Sequence, residues 1–173
     1  MLKKNIVLIG MMAAGKTTIG FKLANKLGYE FIDIDSEIEK SENDKITNIF
    51  KNKGEEYFRK IEERITLIVL DKKNSVISLG GGAFLNEKIR KKIKKNGTSF
   101  WLKWKIKTIL DRISKNNRRP LAIKLKSKDI INLYRHRVKF YKLSDFKVNC
   151  ENKNKNDIIN KISKIIKNES SGN

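Results

Sequence analysis

Gly10-Met11-Met12-Ala13-Ala14-Gly15-Lys16-Thr17 has the glycine, lysine and threonine spacing of a loop that binds phosphate groups. An apolar run at residues 5–9 precedes this segment and an amphipathic pattern follows it, so the loop would join a strand to a helix. Small residues let backbone N–H groups turn toward phosphate oxygens, and the helix N-terminus adds favourable partial charge. Lys16 would reach the β- and γ-phosphates, and the Thr17 hydroxyl would bind Mg²⁺. The segment therefore predicts a nucleotide site.

Short β-branched runs alternate with longer helical periods along the chain. Strands are predicted at residues 5–9, 31–33, 76–79, 98–103 and 146–149. Helices are predicted at residues 16–27, 36–40, 47–53, 55–70, 87–95, 107–114, 128–143 and 157–167. The alternation predicts one α/β domain over residues 1–167, with a mainly parallel sheet covered by helices on both faces. Residues 168–173 are predicted to form a polar, disordered tail.

One segment, residues 115–128, interrupts this rhythm. It contains the chain's single proline, four lysines and two arginines, and it has no clear periodicity. Either a surface loop or a mobile lid would account for the composition. The Arg119-Pro120-Leu121 sequence within it favours the lid, because the remaining motifs point to a nucleotide that such a lid would cover.

Further motifs lie where parallel strands are predicted to end. Asp33 and Asp35 are placed on the same side of an extended backbone at a strand's carboxyl end, the edge where ligands bind in open α/β sheets. A strand end followed by a helix N-cap would explain the same two residues. The triplet at residues 80–82 is glycine throughout, which costs backbone entropy, so some group must approach that backbone closely.

The phosphate-binding loop at residues 10–17 is of the kind called a P-loop, which occurs in GTPases, motors and kinases. The other motifs separate these classes. No guanine-reading Asn-Lys-x-Asp sequence is present, and the chain is short for a motor core. The P-loop, Asp33-x-Asp35, Phe58-Arg59, the glycine triplet at 80–82 and Arg119-Pro120-Leu121 together resemble the shikimate kinase family, in order and spacing, from about residue 5 to residue 150. The resemblance implies a three-layer P-loop kinase fold of nucleoside-monophosphate-kinase type, with a five-stranded parallel sheet in the order 2-3-1-4-5 and a lid.

The resemblance also implies a reaction and its catalytic residues. The γ-phosphate of ATP would pass to the 3-hydroxyl of shikimate, giving shikimate 3-phosphate and ADP, a step of aromatic amino acid biosynthesis. Lys16, Arg119 and Mg²⁺ would stabilise the transferring phosphoryl group, and Asp35 would orient the hydroxyl and accept its proton. Lid closure would expel water.

Binding roles follow residue by residue from the same resemblance. Asp35 would bond the substrate hydroxyls, Gly81 would meet the substrate through its backbone, and Arg59 and Arg137 would hold the substrate carboxylate as planar bidentate donors. Glu62, one helical turn from Arg59, would orient it. Mg²⁺ would be held by Thr17 and, through water, by Asp33. The residues expected to bind ATP are Ala13, Ala14, Gly15, Lys16, Thr17, Thr18, Arg112, which would flank the adenine, Arg119 and Lys153.

Three positions depart from the family pattern. Ala13 replaces a glycine inside the P-loop, and the proline that usually follows the substrate arginine is absent after Arg137. The segment at residues 152–156, expected to contact adenine, is rich in Asn and Lys and lacks proline. Lys153 therefore matches its family position only loosely.

The formal net charge of +21 raises the alternative of a nucleic-acid-binding protein. Lysines scattered along helices dominate this excess, and no zinc-ligand spacing or arginine-rich arm accompanies them. Another small-molecule kinase, such as a gluconate or nucleoside-monophosphate kinase, is the nearer alternative.

No apolar run approaches the roughly 20 residues of a transmembrane helix, and one cysteine, Cys150, cannot form an intrachain disulfide. We therefore expect a cytoplasmic monomer without nucleic-acid or membrane partners, in which His136, Trp101, Trp104 and Cys150 have no catalytic role.

Overall fold

The computed structural model describes residues 4–115 and 126–171. Its strands form one five-stranded sheet in the order β2-β3-β1-β4-β5, and every neighbouring pair is parallel. The strands are β1 (Asn5–Ile9), β2 (Glu30–Asp33), β3 (Ser75–Ser78), β4 (Gly97–Lys103) and β5 (Phe146–Asn149). The predicted five-stranded parallel sheet and its order are confirmed.

Helices surround the sheet and begin and end close to the predicted positions. The α-helices of the described residues are α1 (Lys16–Leu27), α2 (Ile34–Glu42), α3 (Ile46–Val69), α4 (Glu87–Asn96), α5 (Ile106–Ser114), α6 (Ser127–Tyr141) and α7 (Lys155–Ser171). A short 3-10 helix spans Ala83–Leu85. Helices α1 and α7 pack together, while α2, α3 and α4 pack against one another in sequence. No helix of the described ranges is long and apolar enough to cross a membrane.

Strand β1 is buried along its whole length because helices cover the sheet around it. Its apolar side chains belong to one continuous hydrophobic cluster that also takes in residues from β3, β4 and α1. The carboxyl ends of β1, β2 and β3 therefore lie side by side at one edge of a rigid sheet. The P-loop follows β1, Asp33 ends β2, and the glycine triplet at 80–82 follows β3, so the predicted motifs meet at this edge.

Two boundaries differ from the prediction for physical reasons. Asp35 lies in the first turn of α2 rather than on extended backbone, because the Asp33 carboxylate caps that helix by accepting from the Asp35 N–H at 3.1 Å. The two helices predicted on either side of Gly54 are confirmed, because a kink with non-helical backbone at Gly54 (φ 80°, ψ 174°) divides α3 there. Helix α7 runs to Ser171, although a polar tail was predicted from residue 168. Residues 155–171 contain no glycine or proline that would end the helix earlier.

Candidate active site

The P-loop forms a tight turn between β1 and α1. Its backbone takes positive φ at Gly10 (146°), Ala13 (61°) and Gly15 (86°), a region open to glycine and strained for alanine. The Lys16 side chain folds over this turn and is 7% exposed. Its Nζ donates to the carbonyl oxygens of Gly10 and Met11, each at 3.0 Å. The ammonium group is thereby held at the mouth of the loop, where a phosphate chain would lie.

The two residues predicted to hold Mg²⁺ are in direct contact. Thr17 Oγ1 donates to Asp33 Oδ2 at 2.7 Å. Mg²⁺ in nucleotide sites takes one or two protein oxygens, phosphate oxygens and several waters. Among the described residues no group of three or more His, Cys, Asp or Glu side chains could enclose a metal ion. A hydroxyl beside one carboxylate therefore fits a Mg²⁺ that shares its coordination with a nucleotide.

A cavity of about 460 Å³ opens above the P-loop. It brings together eight of the predicted site residues, namely Ala13, Gly15, Lys16, Thr17, Thr18, Asp33, Asp35 and Arg112. Ser78, Leu79 and Lys115 also line it and were missed by the sequence analysis. Ala14 is buried beneath the loop. Lys153 is exposed in the turn after β5 and is not among the lining residues.

A second cavity, of about 410 Å³, contains the two arginines predicted to hold a carboxylate. Arg59, on α3, donates through Nη1 to Glu62 Oε2 at 2.6 Å, so the predicted contact between these residues is confirmed. Arg59 Nη2 also donates to the exposed Glu55 at 3.0 Å. Arg137, on α6, is 8% exposed, and its Nε has no hydrogen-bond partner. These guanidinium groups lie in position to receive an anionic group.

The glycine triplet between the cavities is explained by these same arginines. A Cβ atom on Gly81 would lie 2.8 Å from Arg137 Nη1, and one on Gly82 would lie 2.6 Å from Arg59 Nη1. A Cβ atom on Gly80 would collide with the Glu62 carboxylate and lie 3.2 Å from Asp35 Oδ1. The groups that approach this backbone are therefore side chains of the site itself. Asp35, which lines the first cavity, and Glu62, which lines the second, both lie beside Gly80.

Burial sets the electrostatics of the second cavity. It raises the pKa of Glu62, against the lowering effect of the Arg59 charge, and it lowers the pKa of the Arg137 guanidinium. Glu62 Oε1 has no hydrogen-bond partner, like Arg137 Nε. Arg59 thus pairs directly with the buried Glu62 carboxylate, and Arg137 interacts with it through charge alone. A carboxylate ligand would supply the acceptors and negative charge that this group of side chains lacks.

Tyr141, at the end of α6, supports the same region and was not singled out by the sequence analysis. Its hydroxyl donates to the Gly81 carbonyl at 2.5 Å, and burial raises its pKa to about 12.

The four residues to which no catalytic role was assigned lie as follows. His136 is exposed on α6, and Cys150 is a free, buried thiol whose pKa is raised by burial to about 12. Trp101 and Trp104 are buried.

The predicted lid at residues 115–128 falls mostly outside the described residues. Arg119, predicted to be catalytic and to bind ATP, lies in that part. Lys115 lines the first cavity, and residues 127–128 already belong to α6.

The sheet order and the loop before α1 define the chain as a P-loop kinase of the small, nucleoside-monophosphate-kinase-like type. The family model for shikimate kinase matches residues 12–167. The shikimate kinase of Persephonella marina is 43% identical over 159 residues, which cover 92% of this chain and 96% of that protein. The shikimate kinase of Sulfurihydrogenibium sp. is 38% identical, covering 95% and 98%. The chain belongs to the shikimate kinase family.

Solved structures show the same relationship. The shikimate kinase of Acinetobacter baumannii in complex with shikimate has a TM-score of 0.89 at 30% identity, covering 96% of this chain and 94% of that one. The shikimate kinase of Aquifex aeolicus has a TM-score of 0.86 at 34% identity, covering 98% and 99%.

Proposed function

We propose that this protein transfers the γ-phosphate of ATP to the 3-hydroxyl of shikimate, giving shikimate 3-phosphate and ADP. The observation that carries the proposal is that residues lining both cavities lie beside the glycine triplet at 80–82. A phosphate-binding loop faces one cavity, a pair of arginines faces the other, and Asp35 lies beside the glycine triplet between them. A small acceptor with both a carboxylate and a hydroxyl would match this arrangement.

Positioning and charge provide the chemistry. Arg59 and Arg137 hold the substrate carboxylate through bidentate hydrogen bonds. This contact fixes the hydroxyl near Asp35, which orients it and accepts its proton as the phosphoryl group leaves ATP. Lys16 neutralises charge on the transferring phosphoryl group. Its present contacts with two P-loop carbonyls hold the ammonium near that position before the nucleotide binds.

Mg²⁺ is the proposed metal, bound by Thr17 directly and by Asp33 through water. When bound, it would neutralise phosphate charge and align the β- and γ-phosphates. The contact between Thr17 and Asp33 supports this assignment because both oxygens already converge on one point. The chain's own contribution is to hold these two donors at the end of β2 and the start of α1.

Arg119 is proposed to reach the ATP phosphates from the lid. Arg119→Ala should reduce turnover, since loss of one charge-stabilising donor typically costs on the order of 3 kcal/mol in the transition state. The KM for shikimate should change little. Unchanged turnover would make the segment an ordinary surface loop.

A coupled assay of ADP release tests the proposed reaction. Shikimate, quinate, gluconate and AMP are each supplied with ATP, with and without Mg²⁺. We expect ADP release that depends on both shikimate and Mg²⁺. Robust turnover with gluconate or AMP, and none with shikimate, would contradict the substrate assignment.

The alternatives draw less support. A gluconokinase from Sinorhizobium meliloti has a TM-score of 0.61 at 15% identity, a likeness that extends to the fold alone. Nucleic-acid binding would appear as tight association with a steep salt dependence.

We also infer a cytoplasmic monomer. In the part of the chain that the structure describes, the exposed large hydrophobic side chains are Phe21 on α1, Ile68 on α3 and Leu143 after α6, too few for a large apolar interface.

A further inference from the structure

Trp104 connects three elements around the nucleotide cavity. It directly follows β4, is 6% exposed, and donates through its indole Nε1 to the Ala14 carbonyl of the P-loop at 3.0 Å. Its own carbonyl accepts from the Tyr134 hydroxyl, on α6, at 2.9 Å. The backbone of Trp104 is therefore held by α6, while its indole bonds the P-loop.

Arg112 lies directly against this indole. Its guanidinium carbon is 3.6 Å from the centroid of the Trp104 ring, a close cation–π contact. Arg112 Nη1 also donates to the Ala13 carbonyl at 3.3 Å, and the side chain lines the cavity above the P-loop. Trp104 and Arg112 thus hold the carbonyls of two consecutive P-loop residues.

These two carbonyls belong to Ala13, which has a strained backbone, and to the residue that follows it. Ala13 has φ 61°, where an L-residue with a Cβ atom is disfavoured unless its surroundings hold it. Holding the two carbonyls on the Trp104 side keeps the loop in one conformation, and the bond from the Ala14 N–H to the Met11 carbonyl at 3.2 Å closes the same turn. The arrangement sets the loop conformation before a nucleotide binds.

We propose that Trp104 is a positioning residue for the nucleotide, which holds the P-loop in its phosphate-binding form and orients the Arg112 guanidinium for stacking against the base. One face of the guanidinium rests on the indole, and a nucleobase is the planar group suited to the other face. The inference rests on the proposed function only in requiring a nucleotide above the P-loop, and it does not depend on the acceptor.

A purely structural role for Trp104 makes a different prediction. Phenylalanine fills most of the same volume and keeps an aromatic face for Arg112, but it lacks the N–H that bonds Ala14. If Trp104 only fills space, Trp104→Phe should leave nucleotide affinity unchanged. If it positions the loop, the variant should weaken nucleotide binding selectively.

The first test measures ADP binding by calorimetry and steady-state kinetics in Trp104→Phe. We expect the Kd for ADP and the KM for ATP to rise about fivefold, the effect of losing one buried hydrogen bond. The KM for shikimate and kcat should change by less than about twofold. Trp101→Phe is the matched control, because Trp101 is also buried but its ring packs against Tyr141. Wild-type ADP affinity in Trp104→Phe, or equal weakening in both variants, would overturn the proposal.

A second measurement leaves Trp104 intact. The chain has two tryptophans, so Trp101→Phe leaves Trp104 as the sole indole fluorophore. Its emission should shift on saturation with ADP, and unchanged emission would contradict the proposal. ADP binding needs no shikimate, so this result separates the inference from the acceptor assignment. If the protein binds ADP but does not phosphorylate shikimate, the acceptor assignment is wrong and the proposed role of Trp104 stands. If the protein does not bind ADP, the proposed role of Trp104 is wrong.

Discussion

Thr17 Oγ1 donates a 2.7 Å hydrogen bond to Asp33 Oδ2, and the other oxygen of the same carboxylate caps helix α2 at the Asp35 N–H. One side chain thus joins the proposed Mg²⁺ position to the helix that carries the proposed catalytic base. The metal end and the acceptor end of the site share a rigid connection. Asp33 and Asp35 are only two residues apart, but the proposal assigns Asp33 to the metal and Asp35 to the acceptor hydroxyl.

Asp33→Asn should raise the Mg²⁺ concentration needed for activity. The amide oxygen can still cap α2, but the charge that holds the metal through water is lost, and such outer contacts contribute roughly tenfold or more to metal affinity. Mg²⁺ titrations at saturating ATP and shikimate measure the shift. An unchanged Mg²⁺ requirement would contradict the metal assignment.

The cap itself is tested by Asp33→Ala. Alanine removes both the charge and the cap, so this variant should show the same Mg²⁺ shift as Asp33→Asn and lose about 1 kcal/mol of unfolding free energy in addition. Urea denaturation of the two variants separates the roles. Equal stability of both would show that the hydrogen bond to the Asp35 N–H contributes little.

Asp35→Asn should lower kcat on the order of 10²-fold, because asparagine keeps the size of the side chain but cannot accept the hydroxyl proton. Excess Mg²⁺ should not restore the rate. The same Mg²⁺ titration serves as the measurement, with Asp33→Asn as the control. Rescue of Asp35→Asn, without rescue of Asp33→Asn, would reverse the assignment of the two carboxylates.

The sequence predicted the sheet, its order and the P-loop because these depend on local patterns and on a family resemblance. It did not place Asp35 on α2, because the choice between extended and helical backbone there depends on the Asp33 side chain capping the helix. The bond from Trp104 to Ala14 joins residues 90 positions apart, and no local pattern predicts such a contact.

The glycine triplet shows the same limit. Three glycines indicated that some group approaches the backbone, but the sequence could not say which. The structure identifies Arg59, Glu62 and Arg137, which come from two distant helices. Spacing along the chain carries no information about where those helices meet.

Arg137→Lys should raise the KM for shikimate roughly 10- to 100-fold with little change in the KM for ATP. Lysine keeps the positive charge but loses the bidentate geometry and the otherwise unpartnered Nε. Arg135→Lys on the same helix is the control, because Arg135 is exposed and lines neither the cavity above the P-loop nor the cavity that contains Arg59 and Arg137. Equal effects of the two substitutions would refute a specific carboxylate contact by Arg137.

Gly82→Ala tests whether the triplet exists to leave space. The backbone of Gly82 (φ −104°) suits alanine, but its Cβ would lie 2.6 Å from Arg59 Nη1 and displace that guanidinium. We expect a higher KM for shikimate and little loss of stability, since the end of an arginine side chain can move. Gly28→Ala should do the opposite: its φ of 66° costs about 1 kcal/mol of stability with alanine, while the kinetic constants stay unchanged.

The buried Glu62 should leave a signature in the pH dependence of stability. Burial raises its pKa above the ordinary 4.5, so between pH 4.5 and the raised value the folded protein binds more protons at this site than the unfolded chain does. The contribution of Glu62 to the free energy of unfolding therefore falls as pH rises through that range. Glu62→Gln should remove this fall.

Glu63 is the matched control for that experiment. It adjoins Glu62 on α3, but its hydrogen bonds to Lys88 and Asn86 lower its pKa, so its stabilising contribution is present at neutral pH and lost as the pH falls through the lowered value. Urea denaturation from pH 4 to pH 8 should give opposite changes: relative to wild type, Glu62→Gln gains stability with rising pH, and Glu63→Gln loses it. If both variants followed the wild-type pH profile, neither carboxylate would carry the pKa shift that its surroundings imply.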